Sequence, residues 1–313
     1  ARAAEFAAQY GTHAASDISD FAQRVDAASV AVPTVFHRKV AEPLMQAGIH
    51  VMVEKPISES YAEAQALIEL AKAKSVILQV GHIERFNPVL LQLEQRMDTP
   101  KFIEAHRLSP FPNRSIDIGV VLDLMIHDIE IVLHLVKSPL VQVDAVGIPV
   151  LTKREDIANA RLKFANGCIA NITASRASTA SLRRMRIFQH HEYLSIDFGE
   201  RKIGFARKRD ALIEGEPPID SESRIEPPGD ALLSEIQAFV AGVRGVFSRP
   251  LYRHDIVEQL DAIGVGSLTV VLLTGLFTGM AITAQSGLTL DQFGARAVLQ
   301  GLHAVRGAEL GLE

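Results

Sequence analysis

The sequence contains a single cysteine and no excess of basic residues, and each scarcity excludes a class of protein. Cys168, being alone, cannot form an internal disulfide or a cysteine-based zinc site. The formal net charge of -5 leaves no basic surface field to hold nucleic acid. The first residues lack the basic stretch and apolar core of a signal peptide. We therefore predict a cytoplasmic protein with no nucleic-acid partner.

The composition is that of a folded globular protein. Hydrophobic residues make up 48% and charged residues 22% of the 313 positions, a balance that disordered chains do not have. This length is enough for two domains of ordinary size, each with its own core.

The first 88 residues have the pattern of parallel βαβ units. Short apolar runs alternate with helical patterns, which predicts strands at 25–32, 50–53 and 76–80 and helices at 2–10, 35–46 and 60–74. Strands this apolar are covered on both faces. The pattern predicts a partial Rossmann-like, doubly wound parallel sheet, which binds ligands at the carboxyl ends of its strands.

The pattern changes after residue 88 to that of an α+β domain with a mainly antiparallel sheet. Asn166 and Gly167 supply a tight hairpin turn between two of its strands. Residues 214–229, rich in Pro, Glu and Ser, predict a solvated loop. The other predicted elements are helices at 89–97, 120–136 and 230–245 and strands at 101–108, 141–148, 157–164, 168–175, 186–189, 194–198 and 203–207.

The last part of the chain contains an uncharged segment at 262–284, about as long as a helix that spans a bilayer. Gly275 and Gly279 form a GxxxG pair within it. The segment is either a buried helix or a membrane contact. We therefore divide the chain into a partial dinucleotide-binding domain (1–88), a substrate-binding domain (89–245) and a hydrophobic tail (246–313).

Lys55 follows a predicted parallel strand, within the run Glu54-Lys55-Pro56. A buried lysine there could stabilise the alkoxide that develops when a sugar hydroxyl is oxidised. An exposed loop lysine is the alternative.

Asp123 and His127 are four residues apart on a largely apolar helix, so they project from one face and can tune each other's proton affinity. His127 could then act as a general base. A satisfied core histidine or two metal ligands are the alternatives, but no third ligand stands out, and we predict no metal site.

Residues 80–88 follow the third strand at another ligand-facing end. Arg85 could clamp a phosphate or a carboxylate, and Asn87 could bond sugar hydroxyls. A domain-linking loop with a structural arginine is the alternative.

Four motifs in this order resemble the Gfo/Idh/MocA oxidoreductase family over residues 1–245: Val30-Ala31-Val32-Pro33-Thr34 with His37, then 54–56, then 81–88, then Asp123-x-x-x-His127. The resemblance implies a Rossmann domain that binds NAD or NADP and an antiparallel domain that shapes a sugar site. It implies catalysis by Lys55, Asp123 and His127. The predicted cofactor-lining residues are Val32, Pro33, Thr34, His37, Glu54, Lys55 and His82, and the predicted substrate contacts are Arg85, Asn87, Arg107, Asp123 and His127.

Within the family, residues 107–111, 122–129 and 154–160 look like the branch that oxidises UDP-N-acetylglucosamine at its 3-hydroxyl. In that branch the ketone precedes transamination to a 3-amino precursor of lipid A. The resemblance therefore implies a nucleotide-sugar substrate. The open face of the antiparallel sheet could serve for homo-oligomerisation.

Two features depart from the family. The sequence lacks the opening strand, Gly-x-Gly-x-x-Gly turn and ribose-reading strand, so we expect an N-terminally truncated chain that binds cofactor weakly and is inactive for that reason, and the choice between NAD and NADP stays open. From about residue 245 the chain is similar instead to the permease subunit of lipid-asymmetry (Mla-type) ABC transporters. An inactive or membrane-tethered fusion is therefore the alternative function.

Overall fold

The computed structural model describes residues 2–111, 118–209 and 218–247, and its first unit is a parallel sheet of three strands. The strands lie in the order β1 (Ala27–Val30), β2 (His50–Glu54) and β3 (Leu78–Gly81). All residues of β3 and all but the last of β2 are buried, as expected for strands covered on both faces. The predicted parallel sheet is confirmed, although β1 is shorter than the predicted run 25–32.

Four helices belong to this unit: α1 (Arg2–Tyr10), α2 (Ile18–Ala22), α3 (His37–Gln46) and α4 (Tyr61–Lys74). Gly11, in the left-handed region at φ 64°, follows α1, and Ser60 caps α4 by accepting a hydrogen bond from the Glu63 amide. The helix predicted at 35–46 begins as a 3₁₀ turn, Thr34–Phe36. Apolar side chains of α3 and α4 pack with the strands into one core.

The second unit is a sheet of eight strands. They are β4 (Phe102–Leu108), β5 (Leu140–Ile148), β6 (Ile157–Phe164), β7 (Ile169–Ser175), β8 (Leu182–Gln189), β9 (Glu192–Asp197), β10 (Lys202–Lys208) and β11 (Ile219–Ile225). Their order in the sheet is β11-β10-β9-β8-β4-β7-β6-β5, antiparallel except between β4 and β7. Strict alternation of exposed and buried residues along β6 shows that one face is covered. Helices α5 (Pro88–Glu94) and α6 (Ile126–Val136) share a core with that face.

Two predicted elements were wrong. Strand β11 lies inside the predicted loop 214–229; all of its residues are exposed, so backbone pairing with β10, not burial of side chains, makes it a strand. The single long helix predicted at 120–136 is interrupted, because Val121–Met125 forms a π-helical turn that leads into α6.

The last described helix, α7 (Ala231–Phe247), returns to the first unit. It contacts the 3₁₀ turn Ile83–Phe86 that follows β3. A Cβ atom added at Gly242 would lie 3.7 Å from Cδ1 of Ile77. Among the described helices none is long and apolar enough to cross a membrane, and the predicted segment 262–284 lies outside the described residues.

Candidate active site

Lys55 projects from the carboxyl end of β2 towards the π-helical turn of the second unit. Its Nζ atom donates a hydrogen bond to the carbonyl oxygen of Asp123 at 2.7 Å and lies 3.6 Å from Oδ1 of the same residue. Burial lowers the pKa of Lys55, and the carboxylates of Asp123 and Glu54 act in the opposite direction. The structure therefore brings the lysine and the aspartate together across the two units.

Asp123 lies in the π turn and His127 in the first turn of α6. Asp123 is paired with Lys55, and no hydrogen bond joins it to His127 in the described part of the chain. Mutual tuning of these two groups therefore stays a prediction.

His127 is suited to accept a proton. Burial lowers its pKa well below the usual value, and the positive charges of Lys55 and Arg107 lower it further. Its imidazole is therefore neutral at neutral pH, which is the form that a general base needs. Its Nδ1 atom is buried and has no hydrogen-bond partner among the described residues.

His82, which follows β3, is also buried, and burial lowers its pKa. Neither of its ring nitrogens has a hydrogen-bond partner within the described residues. Arg85, three residues later, pairs through Nε with Oε1 of Glu130 on α6. The Oε2 atom of Glu130 is buried and unpaired among the described groups.

Arg107 forms the centre of a buried ion-pair network. Its Nε and Nη2 atoms each donate to Asp128 at 2.9 Å, and Nη1 donates to Glu84 at 2.9 Å. Burial opposes the charge, but Asp128 and Glu84 raise the pKa of Arg107 above its usual value. The network fixes β4, α6 and the turn 83–86 to one another. These contacts account for the arginine structurally, and its substrate role stays a prediction.

Asn87 also has a structural explanation in this region. Its side chain caps α5 by accepting a hydrogen bond from the Val89 amide at 3.2 Å, and its Nδ2 donates to Glu84 at 3.0 Å. A contact between Asn87 and a sugar hydroxyl therefore stays a prediction, as does a phosphate contact by Arg85.

The residues predicted to line the cofactor lie at or just after the carboxyl ends of the three parallel strands, except His37, which begins α3. His37 is buried, with Nε2 at 2.8 Å from the Val32 carbonyl oxygen and Nδ1 at 2.8 Å from that of Pro56. These contacts hold the turn through Pro33 and Thr34 beside the end of β2. His37 thus positions this edge of the sheet, and direct contact with cofactor stays a prediction for the whole set.

One buried residue near the site was missed by the sequence analysis. Glu235 on α7 is fully buried, and both of its carboxylate oxygens lack a hydrogen-bond partner among the described residues. Burial raises its pKa to about 7, and the charge of Glu54 raises it as well. Its spacing of four from the buried Phe239 was the available signal, because it puts the glutamate on the packed face of the helix.

Together these groups form a candidate ligand site. A partly buried amine and the unpaired polar atoms of His82 and His127 lie near the ends of β2 and β3, which is where parallel sheets bind their ligands. Buried polar groups normally have partners, so a cluster without them indicates a place where a ligand can supply the missing bonds.

Models of protein families match three segments of the chain. Residues 1–82 match the oxidoreductase family with an NAD-binding Rossmann fold (GFO/IDH/MocA), and residues 90–193 match the GFO/IDH/MocA C-terminal domain. Residues 256–307, which lie outside the described residues, match the permease MlaE family.

Similar proteins agree with the first two matches. The chain is 38% identical to UDP-N-acetylglucosamine 3-dehydrogenase of Acidithiobacillus ferrooxidans over 252 residues. This alignment covers 80% of each chain. A solved structure of that enzyme superposes with a TM-score of 0.79, at 35% identity, over 89% of this chain and 85% of that one. An inositol dehydrogenase homologue from Azotobacter vinelandii, complexed with NADH and myo-inositol, has a TM-score of 0.74 over 90% and 85%, but at 16% identity it shows the fold alone.

Proposed function

The chain belongs to the Gfo/Idh/MocA oxidoreductase family, and from this premise we propose that it oxidises the 3-hydroxyl of a nucleotide sugar such as UDP-N-acetylglucosamine. The observation that carries the proposal is the contact of Lys55 Nζ with the Asp123 carbonyl oxygen at 2.7 Å, next to a neutral His127. The similarity to UDP-N-acetylglucosamine 3-dehydrogenase supports the substrate.

Each of the three residues has a role that its surroundings support. Lys55 donates a hydrogen bond to the reacting oxygen and stabilises the negative charge that develops there. Asp123 holds the lysine in place and favours its charged form. His127 removes the hydroxyl proton as general base. The dinucleotide, when bound, supplies a hydride acceptor.

The groups that would hold the ligands follow from the position of the site. Val32, Pro33, Thr34, Glu54 and His82 lie at or just after the carboxyl ends of the three parallel strands, beside Lys55 and His37, and would hold the cofactor. On the other side, Arg85, Asn87 and Arg107 are the candidates for contacts with the nucleotide sugar, next to Asp123 and His127.

The test is reduction of NAD⁺ or NADP⁺ by the full chain with UDP-N-acetylglucosamine, followed by absorbance of the reduced cofactor. UDP-glucose, UDP-N-acetylgalactosamine and myo-inositol serve as comparison substrates. Carbon NMR of the product should show a new carbonyl at position 3. Cofactor binding is measured separately by calorimetry. Absence of turnover in a chain that binds both ligands would contradict the proposal.

The match of residues 256–307 to the MlaE permease family favours a second candidate, a membrane-associated fusion. Under this candidate the chain sediments with membranes, and detergent is needed to extract it. A monodisperse chain without detergent would exclude the membrane contact and support the cytoplasmic location that we propose.

We also propose that the chain has three domains, at 1–88, 89–245 and 246–313. The open face of the eight-stranded sheet is proposed to form a homo-oligomer. If the product is the 3-keto sugar, its further use in lipid A biosynthesis requires an amino-transfer reaction at that carbonyl. Incubation of the product with an amino donor and a transaminase would test that step.

A further inference from the structure

Two short elements that face each other each carry a histidine and, three residues later, a charged partner. His82 and Arg85 lie on the turn after β3, and His127 and Glu130 lie on α6. Residues three apart project from the same side of a 3₁₀ turn or an α-helix. The ion pair between Arg85 and Glu130 joins the second members, and the ring of His82 lies close enough to His127 to lower its pKa.

Four buried polar atoms of these residues lack partners within the part of the chain that is described: Nδ1 of His127, both ring nitrogens of His82 and Oε2 of Glu130. Unpaired buried polar atoms are rare in folded proteins and call for an explanation. Here they occur in one cluster, and they are of the kind that can both accept and release a proton.

We infer that His82 is a positioning residue that acts through His127, taking up the proton which His127 removes from the sugar and passing it to Glu130. The inference rests on the proposed role of His127 as general base. The proton then reaches solvent beside Arg85, whose side chain is 31% exposed.

The transfers balance in protons and electrons. The hydroxyl O–H bond breaks and its proton binds Nε2 of His127, which releases the proton on Nδ1 to a ring nitrogen of His82. His82 releases the proton on its other nitrogen to Oε2 of Glu130, and the resulting carboxylic acid returns it to solvent. The C–H hydrogen leaves as hydride, with both electrons, to the oxidised nicotinamide. Each transfer takes place directly after a ring rotation or through one water.

Burial, together with the charges around the two rings, keeps both imidazoles neutral between transfers. Burial lowers the pKa of His82; Glu130 raises it, and Arg85 and Lys55 lower it. For His127, burial is the main cause, followed by Lys55, Arg107, His82 and Arg183, all of which lower the pKa. A ring that holds its proton weakly releases it readily to the next acceptor.

The first experiment follows the rings by NMR and needs no cofactor. The full chain is labelled with ¹⁵N in its histidine rings, and the His127 signals are assigned by loss in His127→Gln. We expect His82→Gln to raise the titration midpoint of His127 and change its tautomer ratio. His134→Gln, which removes a ring on the same helix that contacts Glu94, is the matched control and should leave His127 unchanged.

The second experiment separates a relay from other roles. We expect His82→Gln and Glu130→Gln each to lower kcat about tenfold or more, to shift the acid limb of the pH profile and to increase the solvent deuterium effect. In Glu130→Gln the sugar KM and the cofactor Kd should change less than about twofold. Glu130→Gln retains a side-chain oxygen that can accept a hydrogen bond from Arg85. It therefore tests the relay if His82→Gln does not fold.

Two outcomes would overturn the relay. One is a His127 signal that does not respond to His82→Gln. The other is an unchanged kcat in both His82→Gln and Glu130→Gln, which would leave His82 as a cofactor contact alone. Failure of the proposed function is recognised differently, as absence of turnover in an unsubstituted chain that binds both cofactor and sugar, and leaves the NMR result to decide the coupling of the rings.

Discussion

At the scale of single residues, the site is defined by side chains whose charge is opposed by their surroundings. Lys55 is partly buried, which disfavours its ammonium form, and Asp123 compensates from the other unit. Burial, and then the positive groups around it, lower the pKa of His127 and keep it neutral. Such opposed charges cost stability and are kept where chemistry needs them.

We therefore expect Lys55→Ala and His127→Ala, in a form of the chain that binds cofactor, to lower turnover by roughly a hundredfold or more. Lys74→Ala, at an exposed lysine in the last turn of α4, is the control and should keep full turnover. The measurement is kcat for cofactor reduction. Near-normal turnover in either site variant would remove that residue from the mechanism.

A second prediction at this scale concerns Glu235. Its pKa in the folded chain, about 7, lies above the ordinary value of 4.5, so the folded state holds the proton more tightly than the unfolded state. This group stabilises the folded state below pH 4.5, and the stabilisation is lost as pH rises through 7. The complete loss lowers the free energy of unfolding by about 3 kcal/mol.

Glu235→Gln removes this titration, so its stability relative to the unsubstituted chain should increase between pH 5 and pH 8. Urea unfolding at both pH values measures the difference. Glu59→Gln, at an exposed glutamate, should show no such trend. An equal effect of Glu235→Gln at both pH values would mean that the carboxyl is ionised throughout.

At the scale of elements, a buried ion pair supports the start of the helix that carries Asp123 and His127. Burial would raise the pKa of Asp156, but Arg176 and the amides of residues 150–152 lower it below its usual range. Arg176 also donates to the carbonyl oxygen of Ile118, and the Val120 amide donates to that of Glu155. The pair therefore anchors the chain where it enters the π turn.

Asp156→Ala should destabilise the chain by about 3–5 kcal/mol, because it removes the buried carboxylate to which Nε of Arg176 donates. It should also lower activity beyond the loss of folded protein, since the π turn loses its anchor. Asp144→Ala, at an exposed aspartate of β5, is the control. Denaturant midpoints measure both variants. A loss of unfolding free energy below about 1 kcal/mol in Asp156→Ala would show that the ion pair does not stabilise the entry to the π turn.

The elements that the sequence could predict are those whose burial follows a regular period. The alternation along β6 and the apolar run of β2 each identify a strand. Strand β11 has no buried residue and so no pattern to read, and the π turn changes hydrogen bonding without changing composition. Glu235 was missed for a related reason: its significance depends on Glu54, which is distant in sequence.

At the scale of the whole molecule, the site lies where two independent cores meet. One core belongs to the parallel sheet and the other to the eight-stranded sheet. Lys55 comes from the first unit and Asp123 from the second, so relative movement of the units would open or close the Lys55–Asp123 contact. The contact of α7 with the turn 83–86 returns the chain to the first unit and limits that movement.

The outer face of the eight-stranded sheet has no helix over it among the described residues, and apolar side chains lie on it. Val146 and Ile148 on β5 are 53% and 51% exposed, and Phe188 packs against Phe102 and Tyr193 on neighbouring strands. The strands between these two groups carry mainly polar side chains on this face, so the apolar residues form two separate patches. Exposed apolar patches of this kind favour contact with another chain. A twofold contact between two copies would bury the same residues on both.

We therefore expect the full chain to be a dimer in solution, with a light-scattering mass twice that of one chain. Ile148→Lys combined with Phe188→Lys should give a monomer, because four buried charges per dimer would then face each other without partners. Leu91→Lys, which places a lysine at an exposed leucine of α5 on the opposite layer, should leave the dimer intact. A monomer before any substitution, or a dimer that survives the paired lysines but not Leu91→Lys, would show that this face is not the interface.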